Sequence, residues 1–275
     1  MRFLGARAPG PSLPAGALVL TGAPYDTTSS FRRGSRYGPA AIRWASESIE
    51  TYSPLVDRDL GDVPFCDAGD LPLEGLEPGR MVRLIRRELL PGVPFVLGGE
   101  HTVTLGVVQA LAQRHPDLVV VQWDAHTDLR DEYGGERLGH ATVMRRLLEN
   151  GCPLVQLGIR AGTREEFSLG RARSLCLSRS VLPPPPLLAQ LRDRPLYLTV
   201  DIDVLDPAVA PGTGNPEPDG AGYAQLLEAL RRFEGHRVVG MDLVEVSPPC
   251  DPTGATAVIA ASLAREMILL FAPRP

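Results

Sequence analysis

Short runs of apolar and β-branched residues alternate with longer segments of helical period along the chain, and this alternation leaves few ways to fold. A strand covered on both faces reads as continuously apolar, and the helical segments between such strands must supply the cover. The pattern therefore predicts a mostly parallel sheet with helices on both sides. The expected strands are ALVLTGA at 17–23, PFVL at 94–97, LVVVQW at 118–123, LVQLGI at 154–159, PLYLTV at 195–200 and RVVGMDL at 237–243. Helices are expected over 38–50, 79–90, 102–114, 140–150, 223–233 and 254–270. The run LPPPPLLAQL at 182–191 reads as a stiff extended loop whose last proline opens a helix, because proline suits a first helical turn. No repeat, charge block or Gly/Ser-rich linker divides the chain, so its 275 residues are read as one domain of three-layer α/β/α type.

Composition removes several classes of function. No apolar run approaches the roughly 20 residues of a membrane span, and the opening MRFLGARAPGPSLPA lacks the apolar stretch of a secretory signal, so a cytoplasmic protein is expected. A net charge of −5 argues against a nucleic-acid surface and for a small-molecule partner. All 28 basic residues are arginine, which excludes a Schiff-base or phosphate-loop lysine. Cys66, Cys152, Cys176 and Cys250 are scattered, with no C-x-x-C pair and no histidine at zinc-finger spacing, and are read as small buried hydrophobes.

Four of the apolar runs end alike. PFVL leads to Glu100 and His101, LVVVQW to Asp124, His126 and Asp128, PLYLTV to Asp201 and Asp203, and RVVGM to Asp242 and Glu245. In open parallel sheets ligands bind beyond the carboxyl ends of the strands, so these groups should converge on one crevice. Residues at i, i+2 and i+4 start out on one side of a strand, which suits Asp124, His126 and Asp128, and also Asp201 and Asp203, to joint coordination. A lone D-x-D is ordinarily a loop aspartate capping a helix; four acidic clusters at four strand ends need another account. Carboxylates gathered in a partly buried crevice require cations. The mixture of carboxylate and imidazole without thiolate suits manganese, iron or zinc, and six ligands suit two ions better than one.

At these residues the sequence resembles the ureohydrolases, the arginase, agmatinase and formimidoylglutamase family. GGEHTVTLG at 98–106, WDAHTDLR at 123–130, TVDIDVLDPAVAPGTGNPEPDG at 199–220 and DLVEVSPPCD at 242–251 match the family's metal and substrate motifs in order, and the similarity begins at GAPYDTTSSFRRGSRYGPAAIR, 22–43. The resemblance implies an arginase-like fold, two Mn²⁺ per subunit and a homotrimer or homohexamer. It implies that His101 and Asp128 bind one ion, His126 and Asp203 the other, and that Asp124 and Asp201 bridge them. It also matches Glu245 to the carboxylate that grips the guanidinium and His140 to a mobile histidine that moves protons, with Asp128 relaying a proton to the departing amine. The pair of D-x-D and D-x-H-x-D motifs argues against the related single-zinc deacetylase-like hydrolases. No ligand position, His140 or Glu245 is lost, which argues against a non-catalytic homologue.

The loop LRDEYGGERLG, 129–139, is where such enzymes diverge. It lacks the asparagine and serine with which arginases hold an α-carboxylate. Asp131, Glu132 and Glu136 could attract a cationic amine tail, so the closest resemblance is to an agmatinase, with putrescine and urea as products. Gly139 stands where many agmatinases have serine, and Arg130 points toward an acidic substrate such as formimidoylglutamate. Guanidinobutyrate and aminopropylagmatine are further alternatives. Tyr25, Asp26, Phe31 and Arg32 are candidates for the mouth of the site, whereas His115 and His236 read as structural.

Overall fold

A computed structural model of the protein describes residues 1–10 and 16–272, so the last part of the Pro- and Gly-punctuated lead-in lies outside the described residues. The main sheet contains β1 (Leu18–Ala23), β4 (Phe65–Asp70), β5 (Val93–Gly98), β6 (Val119–Trp123), β7 (Leu154–Leu157), β8 (Cys176–Ser178), β9 (Leu196–Asp201) and β10 (Val238–Val244). All its neighbours pair in parallel. A small antiparallel ribbon, β2 (Tyr52–Ser53) with β3 (Arg58–Asp59), stands apart.

Two hydrophobic layers sandwich the sheet, and the period-two alternation of each strand decides which residue enters which layer. Val119, Val121 and Trp123 of β6 share one layer with Leu198 and Leu243, packed beneath α1 (Gly38–Ser46), α6 (Pro185–Leu191), α7 (Tyr223–Arg231) and α8 (Ala255–Phe271). Val120 enters the other with Val96 and Tyr197, beneath α2 (Pro78–Glu88), α3 (Val103–Ala112) and α4 (Val143–Glu149). Each fully buried Leu or Val contributes roughly 1.5–3 kcal/mol relative to exposure, so a one-residue slip of any central strand is strongly disfavoured. Trp123 is fixed further: its indole nitrogen donates to the Val181 carbonyl at 3.0 Å and its ring meets Phe233 edge-on at 5.3 Å.

Each expected strand and helix has a counterpart, shifted or shortened at the ends. The expected helix 140–150 opens as a 3₁₀ turn, His140–Thr142, before α4, and α6 begins at Pro185, one residue before the last proline. Besides the β2–β3 ribbon and short 3₁₀ turns, three elements were not expected. β4 and β8 are sheet edges, FCDAGD and CLS, the first broken by acidic residues and the second only three residues long, as suits strands with one neighbour. The helix α5 (Arg164–Arg173) is mostly polar, with Leu169 packed against the sheet layer, and is started by a reciprocal pair of bonds between Thr163 and Glu166.

The strand order is β4-β1-β5-β10-β9-β6-β7-β8. The last strand of the chain, β10, thus returns to the middle and places the four strands with acidic ends side by side as β5, β10, β9 and β6. No helix among the described residues is long and apolar enough to cross a membrane.

Candidate active site

The carboxyl ends of these four neighbouring strands open into a cleft of about 430 Å³, lined among others by His126, Asp128, Asp201, Asp203, Glu245 and His140. Two overlapping triads stand at its floor. In the first, His101, Asp124 and Asp201 bring ligand atoms within 4.8 Å of one another; in the second, Asp124, His126 and Asp203 do the same. Asp128 joins the first, its Oδ2 3.2 Å from His101 Nδ1. Asp124, shared by both triads, is where a bridging carboxylate would stand, and Asp201 belongs to the first triad.

Local bonds explain why D-x-H and D-x-D aim their second residues as they do. Asp124 Oδ1 accepts the His126 amide at 2.5 Å and Asp201 Oδ1 accepts the Asp203 amide at 2.9 Å, so each leading aspartate closes a tight turn with one oxygen and turns the other toward His101. Asp203 Oδ1 then accepts the Ala125 amide at 3.0 Å, which ties the β6 and β9 ends together. Arg160 secures the same corner, donating to the carbonyls of Asp203 at 2.7 Å and of Glu217 and Pro218 at 3.0 Å.

The donor set fits a pair of cations. His101 Nδ1 is fully buried and lies 3.1, 3.2 and 3.4 Å from oxygens of Asp124, Asp128 and Asp201, yet it makes no hydrogen bond to any of them. A ring nitrogen aimed between three carboxylates at angles unsuited to hydrogen bonding is placed for an ion. Protons reveal the same tension. Burial, with the neighbouring Asp124 charge, pushes the Asp128 carboxyl up to about 7. Burial, with Asp203 and Asp124 beside it, drives Asp201 well above the carboxylate range. Burial works against charge on His101 and His126, but their aspartate neighbours outweigh it and hold both imidazoles protonated. Burial likewise raises Asp124, and the two imidazoles overcome it to keep that carboxyl ionised. The cluster keeps charge balance by holding protons that divalent ions would replace.

Two of the candidate site residues occupy backbone conformations that L-residues rarely adopt: Asp128 at φ 51° and Glu245 at φ 63°. Glu245 is held there at the end of β10, its amide donating to the Gly99 carbonyl at 2.8 Å while its Oε1 accepts the His101 amide at 2.8 Å. Gly99 has to be glycine, since a Cβ there would fall 1.9 Å from the Tyr25 carbonyl oxygen. Burial and the charge of Glu100 push the Glu245 carboxyl well above its ordinary range, so this pocket favours a cationic guest beside it.

His140 borders the cleft with Nε2 3.1 Å from Ser30 Oγ. Burial lowers its pKa to about 4, so it is neutral at pH 7 rather than titrating near the ordinary histidine value. The loop that carries Ser30 is anchored by buried Glu100, which accepts the Thr28 amide at 2.8 Å and the hydroxyl of Thr28. At Gly139 a Cβ would press on Thr28 Oγ1 at 3.1 Å, so the absent serine side chain would have met this loop.

Other expectations are redistributed. Asp131 is drawn away by Arg146 at 2.5 Å and Arg137 at 2.9 Å, and with Glu132 it lines a separate surface cleft beyond Leu129; the structure does not bring either residue to the metal-side cleft. Of the four candidate mouth residues, Phe31 lines the cleft, whereas Tyr25 bonds to the Leu76 carbonyl, Asp26 to the Gly34 amide and Arg32 to the Thr213 carbonyl. Arg130 does line it, 4.6 Å above the Tyr133 ring and 3.6 Å from Glu166. Two carboxylates escaped the sequence reading. Glu217 stands in the cleft wall, 3.8 Å from His126 Nε2. Glu166 accepts from Thr127 Oγ1 at 2.8 Å and from the Leu129 amide at 3.2 Å, clamping the turn that carries Asp128. The T-x-x-E spacing of Thr163 and Glu166 was a readable signal for that clamp.

The arginase family model matches residues 17–270, nearly the whole chain. The chain belongs to the arginase family. It is 42% identical over 265 residues to the agmatinase of Bacillus subtilis, covering 92% of this chain and 91% of that one. It is 37% identical to the guanidinobutyrase of Pseudomonas aeruginosa, over 92% of this chain and 86% of that. The crystal structure of the agmatine ureohydrolase of Thermoplasma volcanium superposes with a TM-score of 0.83 at 33% identity, covering 94% of this chain and 90% of that chain. As a member of the arginase family the protein is a ureohydrolase, a hydrolase of C–N bonds, and the mostly parallel sheet with helices on both faces is the arginase fold.

Proposed function

We propose that the protein is a single-domain, two-manganese ureohydrolase that converts agmatine and water to putrescine and urea. The observation that carries this reading is the side-by-side placement of four acidic strand ends, which gathers His101, Asp124, His126, Asp128, Asp201 and Asp203 on one cleft floor with Glu245 beside them. His101, Asp124, Asp128 and Asp201 would hold one ion, and Asp124, His126 and Asp203 the second. Bound there, divalent ions lower the pKa of the water they hold toward neutrality.

The chain's own groups supply the rest. Glu245 spends one lone pair of Oε1 on the His101 amide and keeps its remaining acceptor sites for the guanidinium N–H groups, fixing the central carbon over the cleft floor. Oxygen from water joins that carbon, the bond from the carbon to the alkyl-bearing nitrogen breaks, and the departing amine takes up a proton as urea forms. Asp128, which lines the cleft with Glu245, stands where it can pass that proton, and neutral His140 at the cleft wall can exchange it with solvent. Glu217, a partly exposed wall carboxylate, offers the amine tail of agmatine a counter-charge that Asp131 and Glu132 do not.

A second reading, a guanidino acid such as guanidinobutyrate, is favoured by one observation: Arg130 lines the same cleft and could hold a carboxylate tail. The enzyme is proposed to be cytoplasmic and to assemble as a homotrimer or homohexamer, and light scattering on the purified protein tests the assembly. Metal analysis of protein stripped with chelator and reloaded with Mn²⁺ tests the centre itself. Two ions per chain, with urea release from agmatine restored in step, are expected; one zinc ion per chain as the active form would replace this reading.

A further inference from the structure

Directly below the ligand-bearing strand ends, a row of polar side chains crosses an otherwise apolar sheet face. Gln156, Gln122, Thr199 and Asp242 are register partners on β7, β6, β9 and β10, and all four are completely buried. Their neighbours one step back on the same face are Leu154, Val120 and Tyr197, the ordinary contents of this layer. Burying such groups costs stability unless each finds a partner, and here the partners lead to the metal-side residues. On one flank Gln156 donates to Gln122 at 2.7 Å, and Gln122 donates to Asp124 Oδ2 at 2.7 Å.

The other flank concerns His101. Its Nε2 lies 2.8 Å from Thr199 Oγ1, while Nδ1, on the far side of the ring, is the orphan among three carboxylates. If Nδ1 faces an ion as a bare lone pair, the ring proton must sit on Nε2 and be donated to Thr199. The Thr199 hydroxyl then has its own proton to place. Beside it across β9 and β10 is Asp242, whose Oδ2 accepts from the hydroxyls of Tyr197 and Thr104, each at 2.6 Å, and whose buried Oδ1 has no donor in hydrogen-bonding geometry. With Nε2–H donated to Thr199, the Thr199 hydroxyl hydrogen is left to turn toward its register partner Asp242, whose Oδ1 lacks a donor.

We propose that Thr199 and Asp242 are positioning residues for the metal centre, locking His101 in the tautomer that turns its Nδ1 lone pair to the ion. This rests on the reading of His101 as a ligand. Asp242 belongs to the same acidic strand end as Glu245, but its side chain points into the sheet layer, where it supports the site from beneath instead of lining it.

The test uses full-length protein stripped of metal, titrated with Mn²⁺ by calorimetry and followed by electron paramagnetic resonance, in wild type, Thr199→Val, Thr199→Ser and Asp242→Asn. Wild type is expected to take up two ions and show the signal of a coupled pair. Thr199→Val should bind the His101-side ion about 10- to 100-fold more weakly and show a single-ion spectrum at concentrations that fill the wild-type pair. Thr199→Ser, which keeps the hydroxyl, should restore the pair, and Asp242→Asn should reproduce the weakening should Thr199→Val fail to fold. Thermal melts of the stripped proteins separate this from a general loss of packing, which would lower the melting temperature and leave the ratio of the two affinities unmoved. Wild-type affinity and a coupled-pair spectrum in folded Thr199→Val would overturn the proposal alone. Failure of wild type to bind two ions would overturn the metal reading and the proposal with it.

Discussion

Replacing Glu245 with glutamine removes one charge from the cleft while leaving its shape nearly intact. The side chain is largely buried and its Oε1 accepts the His101 amide, a bond the glutamine carbonyl can still accept, so the metal-side framework should survive. What is lost is the charge opposite the guanidinium, replaced by an amide whose N–H groups face the substrate's own. Breaking a buried ion pair on one side costs about 3–5 kcal/mol, which corresponds to a fall in kcat/KM of roughly two to three and a half orders of magnitude. The pairing exists before water attacks, so most of the loss should fall on KM, with a smaller loss in kcat from misplacement of the carbon. Glu245→Asp should show the reverse split: it keeps the charge but withdraws it by one methylene, and a misplacement of about 1 Å can cost 10²-fold in rate. The assay is initial-rate urea release by Mn²⁺-loaded protein, with ion content measured on each variant and guanidinium chloride as a competitive probe of the pocket. A Glu245→Gln enzyme with full ion content and kcat/KM within tenfold of wild type would refute the assignment of Glu245 as the guanidinium anchor.

Other consequences follow from the same geometry. Burial lowers the His140 pKa from 6.5 to about 4, so the unfolded chain binds a proton that the folded protein refuses. The stability this group contributes is complete above pH 6.5 and is lost as pH falls toward 4, by roughly 3 kcal/mol; urea denaturation of the stripped protein should show that slope flattened in His140→Asn, and an unchanged slope would place the proton elsewhere. Asp131 is committed to Arg146, so Asp131→Asn should leave KM for agmatine within about twofold, whereas Glu217→Gln should raise it about 5-fold, the worth of a partly exposed charge pair near 1 kcal/mol; the opposite ranking would return the tail to the acidic loop. Removing the Arg160 guanidinium with Arg160→Met strips donors from the carbonyls of Asp203, Glu217 and Pro218. It should lower Tm by roughly 5–15 °C, from about 2–4 kcal/mol of lost bonds, and a calorimetric scan that shows no decrease would remove Arg160 from the support of the Asp203 corner.

The parts of this molecule that were legible in the sequence are those whose cause is local. LVVVQW and PLYLTV announce central strands because both of their faces must be apolar, and D-x-H and D-x-D announce candidate ligands because a two-residue period and an i to i+2 turn are written into adjacent positions. The edges β4 and β8 were silent, since one is broken by acidic residues and the other is only three residues long, and α5 was masked by its mostly polar composition although its Thr163–Glu166 signature was present. What depends on distant pairing could not be read. Asp131 is turned from the cleft by Arg146, fifteen positions away, Glu217 reaches the wall through a loop tied down by Arg160, and His140 is made neutral by burial that no single motif encodes. The insertion of β10 between β5 and β9 is of the same kind: each acidic strand end was visible, but their order side by side is a property of the topology.

The most direct measurement is the specificity constant for urea release by the Mn²⁺-loaded enzyme on agmatine, arginine, guanidinobutyrate and aminopropylagmatine, with formamide followed for formimidoylglutamate. Agmatine should lead the series, with putrescine formed in equal amount to urea. Guanidinobutyrate in first place would transfer the tail from Glu217 to Arg130 and leave the metal centre standing, whereas no urea from any guanidino compound by protein carrying both ions would contradict the account at its root.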